Sequence, residues 1–422
     1  MIRRSFLGFG KPRLQYNLSP SPIRELPIPD KVILFLKGTQ NGGHPSEIKV
    51  GDAVKTGQRL AASPDSDEYV ISSVTGTVTD LVPYVDAYGG KYTAITIKAG
   101  GQDNWDDKFN KKTTFDTVLK FFEYAPGNPS FKPFTDPERT IRTIIINGMD
   151  QDLVLTANQC VVQNESAEIK NGVQVLKNMT NMTSIDRIVI TVPENLVQQA
   201  NTTGAELKVV SATYPHSLPH MIMKDMLGKV VSAGDTVEDT GVVFISAEAV
   251  AALGVSFHTG QLPVTKVVTV VGKDGNATNV RVRIGAPIRG VLQACRITLN
   301  DRDRLILGGP MRGSPAYSRD LPVQHGTDGI VVQDEDNSAK TTDYPCINCG
   351  ECVRICPVKI PVNMLVRFLE AGLYEDATAM YDLECCIECG LCSYVCISRI
   401  PIFQYIRLGK HELGLIKTAE EA

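Results

Sequence analysis

Cysteine constrains this chain more than any other residue. Of 11 cysteines in 422 residues, nine lie between Cys346 and Cys396, and only Cys160 and Cys295 lie outside. Eight of the nine form two runs of one spacing: Cys346-x2-Cys349-x2-Cys352-x3-Cys356-Pro357 and Cys386-x2-Cys389-x2-Cys392-x3-Cys396. This is the spacing of four-iron ferredoxin sites. Thiolates two residues apart on a tight loop reach three irons of one cubane, and the fourth cysteine ligates the other cluster when two are present. By that rule Cys346, Cys349, Cys352 and Cys396 hold one [4Fe-4S] cluster, and Cys386, Cys389, Cys392 and Cys356 hold a second. The fourth cysteine of each run is expected at the start of a helix. Ile397 stands where the first run has Pro357, and proline arrives only at Pro401, a change that only the chain exit should feel. Cys385 is the ninth cysteine; it could replace Cys386 as ligand, but the spacing favours Cys386.

Zinc is the competing chemistry. Zinc motifs set two Cys-x2-Cys halves apart by a longer loop, so four cysteines at 2, 2 and 3 spacing, repeated, are much more specific for clusters. A disulfide framework would spread its cysteines along a small secreted chain. Crowded thiols in a large chain predict metal in a reducing compartment instead. Arg3-Arg4-Ser5-Phe6-Leu7 mimics a twin-arginine export signal. An apolar stretch should follow, yet Gly8, Gly10, Lys11, Pro12 and Arg13 do, so export is not expected. Net charge is −4 and the pI is near 5.9, which gives no basic face for nucleic acid. No apolar run approaches the ~20 residues of a membrane span. At 43% apolar the chain is globular.

The remaining sequence reads as a multidomain α/β and β chain. Residues 1–30, with Pro12, Pro20, Pro22, Pro27 and Pro29, read as an N-terminal arm. Over 31–100, the segments Lys49 to Gln58 and Ser73 to Val78 alternate apolar and polar residues around glycine, the mark of half-buried β-structure. The pattern resembles the barrel-sandwich (lipoyl-like) fold. Lipoyl domains display a modifiable lysine on a hairpin; residues 61–72 contain none, so the module is read as structural. Within 101–262, residues 102–137 are polar and aromatic and include Gly127 as their one glycine. Apolar strands follow at 143–146, 188–192, 207–210 and 241–245, separated by helical stretches near 164–180, 194–201 and 216–227. That alternation predicts a Rossmann-like parallel sheet. Over 263–333, Val264 to Val271 and Val280 to Ile284 flank the turn Asp274-Gly275-Asn276, and Pro287 to Ala294 reads as a helix, which suggests a β-grasp (SLBB-like) module. Asp334 to Asp343 reads as a polar linker. The helical two-cluster ferredoxin domain and a tail, 334–422, carry helices over Val362 to Ala371, between Pro361 and Gly372, and over Glu375 to Leu383.

This order of modules resembles the C subunit of the Rnf complex, a membrane-bound ion-pumping oxidoreductase. The resemblance is carried by Gly42-Gly43-His44-Pro45, Val50-Gly51-Asp52-x2-Lys55-x-Gly57-Gln58, Ser73-Val74-Thr75-Gly76-Thr77-Val78, Ile146-Asn147-Gly148, Arg281 to Pro287, Gly308-Gly309-Pro310-Met311-x-Gly313 and both cysteine runs. In that family the α/β region is similar to the flavin- and NADH-binding subunit of respiratory complex I and holds FMN on a glycine-rich loop. Here the chain departs. Between Trp105 and Pro137 only Gly127 is glycine; the acidic stretch after Asn-Gly is Met149-Asp150-Gln151-Asp152; and His216-Ser217-Leu218-Pro219-His220 replaces the family's glycines and lysine after Tyr214-Pro215. The flavin site therefore reads as degenerate and FMN is doubtful.

Plainer readings attach to the same residues. Asp150 and Asp152 read as ordinary surface acids. His216 and His220, at i and i+4, lack a third ligand for a metal. His44 reads as a turn residue before Pro45, and Gly308-Gly309-Pro310 as a turn. No catalytic residue is expected. The resemblance implies a peripheral electron-transfer subunit on the cytoplasmic face of the cell membrane. Its implied partners are the other subunits of a membrane redox complex and ferredoxin or another electron carrier, with no nucleic acid. It should not oxidise NADH alone. The alternatives are a soluble flavin-dependent reductase, such as the cobalamin reductases of microcompartments, and a non-catalytic scaffold that docks the ferredoxin module.

Overall fold

The computed structural model describes residues 10–38, 48–61, 66, 68–109, 111–180, 185–336, 340–342 and 344–421. The twin-arginine stretch, the segment Gly42 to Pro45 with its turn histidine, part of the lysine-free 61–72 segment and part of the 334–343 linker lie outside the described residues.

Alternation builds the first unit. Lys31–Lys37 pairs antiparallel with Lys91–Ala99, with Val32 opposite Ile97 and Leu34 opposite Ile95, so alternate side chains of both strands reach one face. Val32, Leu34, Leu36, Ile95 and Ile97 are buried there with Val54, Leu60, Val70 and Val78, each contributing about 1.5–3 kcal/mol. Gly76–Val85 and Ala53–Val54 complete this sheet, and Arg59–Ala61 pairs with Tyr69–Ile71 in a second ladder. Glycine is required at Gly76, where a Cβ would lie 2.0 Å from the Lys98 carbonyl oxygen.

The four apolar runs after residue 140 form one parallel sheet, in the order Glu206–Val209, Arg187–Val192, Thr143–Asn147, Val242–Ser246. Thr143–Asn147 is buried along its whole length, as a central strand covered on both faces must be. Helix Ala247–Thr259, which the sequence reading missed, is apolar nearly all round and buries most of its residues, so it shows no polar stripe. It crosses Ser166–Thr180 so closely that a Cβ on Gly172 would lie 1.9 Å from the Val250 carbonyl oxygen. The stretch 216–227 is not one helix. Pro219–Ile222 makes a single turn, Met223–Leu227 widens into a π turn, and Gly228 at φ 62° ends it. The aromatic segment folds onto this unit: helix Phe115–Phe122 begins at Thr114, whose side chain accepts the Thr117 N–H, and Phe109, Phe122 and Phe131 are buried in the core.

The remaining sheet is six-stranded and runs in the order Arg24–Glu25, Ala277–Arg283, Thr265–Val271, Gly329–Gln333, Arg304–Leu307, Ser314–Pro315. Its central strand, Thr265–Val271, is antiparallel to Ala277–Arg283 and parallel to Gly329–Gln333. Helix Ile288–Ala294 buries Ile288, Val291 and Leu292 against it. Lys266 joins this sheet to the α/β unit: fully buried, it contacts Glu248 and lies 2.7 Å from Asp328. Residues 10–30 run across these units. Gln15 bridges Thr213, Tyr16 is buried, and Arg24–Glu25 adds a parallel strand beside Val280 and Arg281.

The cysteine-bearing end is helical, with Glu351–Ile355, Val362–Glu370, Tyr374–Tyr381, Leu391–Tyr394 and Ile402–Glu421. The helix expected to reach Leu383 stops at Tyr381 because Asp382 turns left-handed, at φ 55°. Among the described residues no helix is long and apolar enough to cross a membrane.

Candidate metal centre

The two cysteine runs are one structure repeated. Cys386 follows Cys346 by 40 residues, and the backbone repeats at the same interval. Asn348, Gly350 and Lys359 have φ of 56, 75 and 65°; Glu388, Gly390 and Arg399 have 52, 72 and 52°. The left-handed residue inside each Cys-x2-Cys curls the loop, and the left-handed glycine after the second cysteine starts a short helix. Cys352 and Cys392 lie on those helices. The fourth cysteines do not begin a helix, contrary to the sequence expectation. Cys356 caps the end of Glu351–Ile355 with φ −56° and ψ 122°, because a residue before proline is pushed out of the helical region. Cys396 lies beyond Leu391–Tyr394, whose C-cap is Val395. The chain then enters Val362–Glu370 after Pro361, and Ile402–Glu421 after Pro401.

Thiols of the two runs are electrostatic neighbours of one another. Cys352 feels the charges of Cys346, Cys349 and Cys396, and Cys396 feels Cys349 and Cys346. Cys386 and Cys389 feel Cys356, and Cys392 feels Cys386, Cys389 and, across the two sets, Cys352. Burial is the main force on all five. It pushes Cys352 and Cys389 up to about 12, Cys386 up to about 11, and Cys392 well above the usual thiol range. Thiols so placed need a metal's positive charge to ionise. Cys385 is influenced by Asp382, Glu384 and Lys410 and by none of the other thiols, although it packs against the cluster that holds Cys352, Cys356 and Cys392.

All eleven cysteines are free thiols. Among the described residues no three His, Cys, Asp or Glu side chains converge to hold a metal ion as they stand. The donor chemistry of each group is four sulfurs, with backbone N–H groups turned toward them: Val353 to Cys352, Glu388 to Cys386, Leu391 to Cys389, and Ser398 and Ile400 to Cys396. Four thiolates with N–H donors fit a [4Fe-4S] cluster, whose charge such bonds help to carry. Cys160 and Cys295 stand elsewhere, with Cys160 donating to the Ser21 carbonyl and Cys295 beside Arg24.

The surroundings of the runs differ. The loop Cys386 to Cys392 is docked on the body, with Ile387, Cys389 and Leu391 buried against Met149, Tyr214, Leu218 and Met221. Three side chains that sequence reading missed grip its carbonyls. Lys410 Nζ donates to Cys386 at 2.7 Å, Arg312 Nε to Glu388 at 3.1 Å, and Tyr214 Oη to Cys389 at 2.6 Å. Nothing local in the sequence could have found them, because each bonds a distant backbone oxygen. Around Cys346 and Cys349, in contrast, Tyr344 and Ile347 are 72% and 59% exposed.

On the flavin-side segments, the surface-acid reading of Asp150 and Asp152 is wrong: they are 1% and 2% exposed. Asp150 accepts the N–H groups of Asn158 and Gln159 at the start of helix Ala157–Asn164, and burial pushes its carboxyl up to about 6. Asp152 accepts the N–H groups of Leu153, Met311 and Arg312, which pins the Gly308-Gly309-Pro310 turn. Both acids fill the donors of neighbouring backbone, and that is why they are buried. His216 lies 2.6 Å from Asp225, and it precedes the turn that carries His220. Gly127 donates to the His325 carbonyl, and a Cβ there would meet Ser246 Oγ at 2.0 Å.

Residues 8–102 match the family profile described as RnfC Barrel sandwich hybrid domain, and residues 128–262 match the NqrA second alpha/beta domain. The C subunit of the proton-translocating ferredoxin:NAD(+) oxidoreductase complex of Clostridium ljungdahlii is 28% identical, covering 93% of this chain and 90% of that protein. The C subunit of the Klebsiella pneumoniae ion-translocating oxidoreductase complex is 27% identical over 98% of this chain and 58% of that protein, so this chain spans little more than half of that relative. The C subunit of the Na(+)-translocating ferredoxin:NAD(+) oxidoreductase complex of Acetobacterium woodii is 26% identical over 75% of this chain and 76% of that protein. The fold is accordingly a mixed α/β multidomain fold with a barrel-sandwich hybrid domain and an NqrA-like α/β domain. Over most of its length the chain is thus similar to the C subunits of ion-translocating oxidoreductase complexes, and its first domain matches the RnfC barrel-sandwich profile.

Proposed function

We propose that this chain is an electron-relay subunit of an Rnf-type, ion-translocating membrane complex. The observation that carries the reading is the repeated Cys-x2-Cys-x2-Cys-x3-Cys run. On this reading Cys346, Cys349, Cys352 and Cys396 hold one cluster and Cys386, Cys389, Cys392 and Cys356 the second. The electrostatic coupling of Cys396 to Cys346 and Cys349, and of Cys386 and Cys389 to Cys356, supports it. Bound there, two [4Fe-4S] clusters would each accept and release one electron at a time. The chain's own residues supply the four-sulfur sets, the N–H donors that soften the sulfurs' charge, and the burial that keeps water off Cys352, Cys389 and Cys392. No coordination position is left open for substrate, so no catalytic residue is assigned.

The finer architecture is part of this reading. Residues 31–100 form the barrel-sandwich module, 101–262 the α/β domain, 263–333 a β-grasp module and 334–422 the ferredoxin-like domain. The parallel pairing of Thr265–Val271 with Gly329–Gln333 supports the β-grasp assignment. Attachment to a membrane would run through partner subunits at its cytoplasmic face, with ferredoxin or another one-electron carrier as the exchanging partner. High salt or mild alkali should release the protein from membranes.

The chain does not oxidise NADH by itself on this reading. A hydride carries two electrons and a cluster takes one, so a flavin must stand between them. The segment that holds FMN in the family has Phe122 and Phe131 buried within it, and Gly127 pressed against Ser246. Anaerobic analysis of the purified chain is expected to give about eight irons and eight sulfides, with no stoichiometric FMN and no fast bleaching by NADH. Zinc, or about four irons, would refute the cluster assignment; bound FMN with rapid bleaching would refute the degenerate flavin site.

A further inference from the structure

Resting on the cluster reading, we propose that Arg312 and Lys410 are positioning residues for the site formed by Cys386, Cys389, Cys392 and Cys356, raising its reduction potential and leaving the other site unaffected. Both approach the ligand loop from outside the cysteine runs. Arg312 Nε donates to the Glu388 carbonyl at 3.1 Å, in the peptide that supplies the Cys389 N–H, and its Nη1 reaches Gln151 at 2.7 Å. Lys410 Nζ donates to the carbonyl of Cys386 itself at 2.7 Å. The contacts join a ligand loop to two cations across 76 and 24 residues of sequence.

The charge balance around the loop decides the sign. Lys410 is paired with the Glu388 carboxylate at 3.0 Å. Among the described residues Arg312 has no ion pair: its side-chain partners are a carbonyl and a neutral amide. Asp152 lies close by, but it takes the backbone N–H groups of Met311 and Arg312. One guanidinium is therefore left without a directly bonded carboxylate, beside a loop whose Cys389 and Cys392 are buried. Reduction adds one negative charge to a cluster. A neighbouring cation stabilises that charge, and more so where burial limits screening. Burial alone would disfavour the reduced form, so the two cations oppose the cost that docking imposes.

The other site lacks the arrangement. Among the described residues no side chain donates to the carbonyls of Cys346, Asn348 or Cys349. Asn348, the counterpart of Glu388, accepts only the neutral Asn363 amide, at 2.7 Å on its side-chain oxygen. The asymmetry arises from packing, since the two loops share one backbone conformation.

The test is an EPR-monitored redox titration of the anaerobic, cluster-replete full chain and of its variants. Arg312→Gln should move the midpoint of one cluster to more negative potential and leave the other unchanged. Lys410→Gln should move the same cluster in the same direction. Glu388→Gln should move it the opposite way, a reversal that a merely structural role would not produce. Arg312→Lys should restore most of the potential. Iron content and g-values should stay those of the unaltered chain, which separates charge from loop damage. Equal shifts of both clusters, or no shift with both clusters present, would overturn the proposal. Absence of two titrating clusters in the unaltered chain would overturn the cluster reading and this proposal together.

Discussion

The run 346–361 and the run 386–401 have the same backbone, but the cysteine loops that open them have different neighbours. Each curls through a left-handed residue, a left-handed glycine and a short helix, and each turns left-handed again three residues past its fourth cysteine. Yet the second is pressed into the body by Tyr214, Arg312 and Lys410, whereas the first presents Tyr344 and Ile347 to solvent. Local sequence makes the two loops alike, and only the neighbours make them different.

The largest effect that could break the comparison concerns crossed ligation. Cys356→Ser changes a residue of the first run, yet it is expected to damage the site at Cys386, Cys389 and Cys392, lowering iron from about eight to about four per chain. Loss of the exposed site instead, read by EPR, would mean that each run holds its own cluster.

Substitution of the paired glycines sharpens the contrast. Gly350 and Gly390 are both left-handed, at φ 75 and 72°, so alanine at either should cost roughly 1–2 kcal/mol of backbone strain. A Cβ on Gly350 meets open space, but one on Gly390 would lie 2.5 Å from the Met311 carbonyl oxygen. Gly390→Ala should therefore lose more in chemical denaturation than Gly350→Ala. Equal losses would mean that the second run is not pressed on the body as described.

A smaller effect is expected from Asp150, in the body beneath the docked run. Burial raises its carboxyl from 3.8 to about 6. The folded state thus holds the proton more tightly than the unfolded state, and stability should fall as pH rises from about 4 to about 6, then level off. Asp150→Asn should flatten that part of the stability curve. An unchanged slope would show that the group is not buried as described.

The smallest effect is Tyr214→Phe. It removes one buried hydrogen bond to the Cys389 carbonyl and should cost on the order of 1 kcal/mol. Release of iron to a chelator should quicken at the docked site only. Faster release at both sites would deny that Tyr214 acts on one.

Much of this was legible beforehand. The strands at 143–147, 187–192, 206–209 and 242–246 are short apolar runs, and such runs between helical stretches have few other uses. Helix Ala247–Thr259 was not legible, because a helix buried nearly all round carries no periodic polar face. Asp150 and Asp152 were misread because isolated acids favour the surface, and two of the three N–H groups that hold Asp152 come from residues 159 and 160 positions away. Lys266 had the same opacity: its partners Glu248 and Asp328 lie 18 and 62 residues off.

By itself the sequence determined the repeated cysteine spacing and the two left-handed loops that carry it, because such spacing and backbone sterics act over a few residues. Tertiary structure alone decided which loop is sheltered and which cations reach its carbonyls. Burial and hydrogen bonding depend on groups that the chain brings together from far apart, and no short segment records who its neighbours will be.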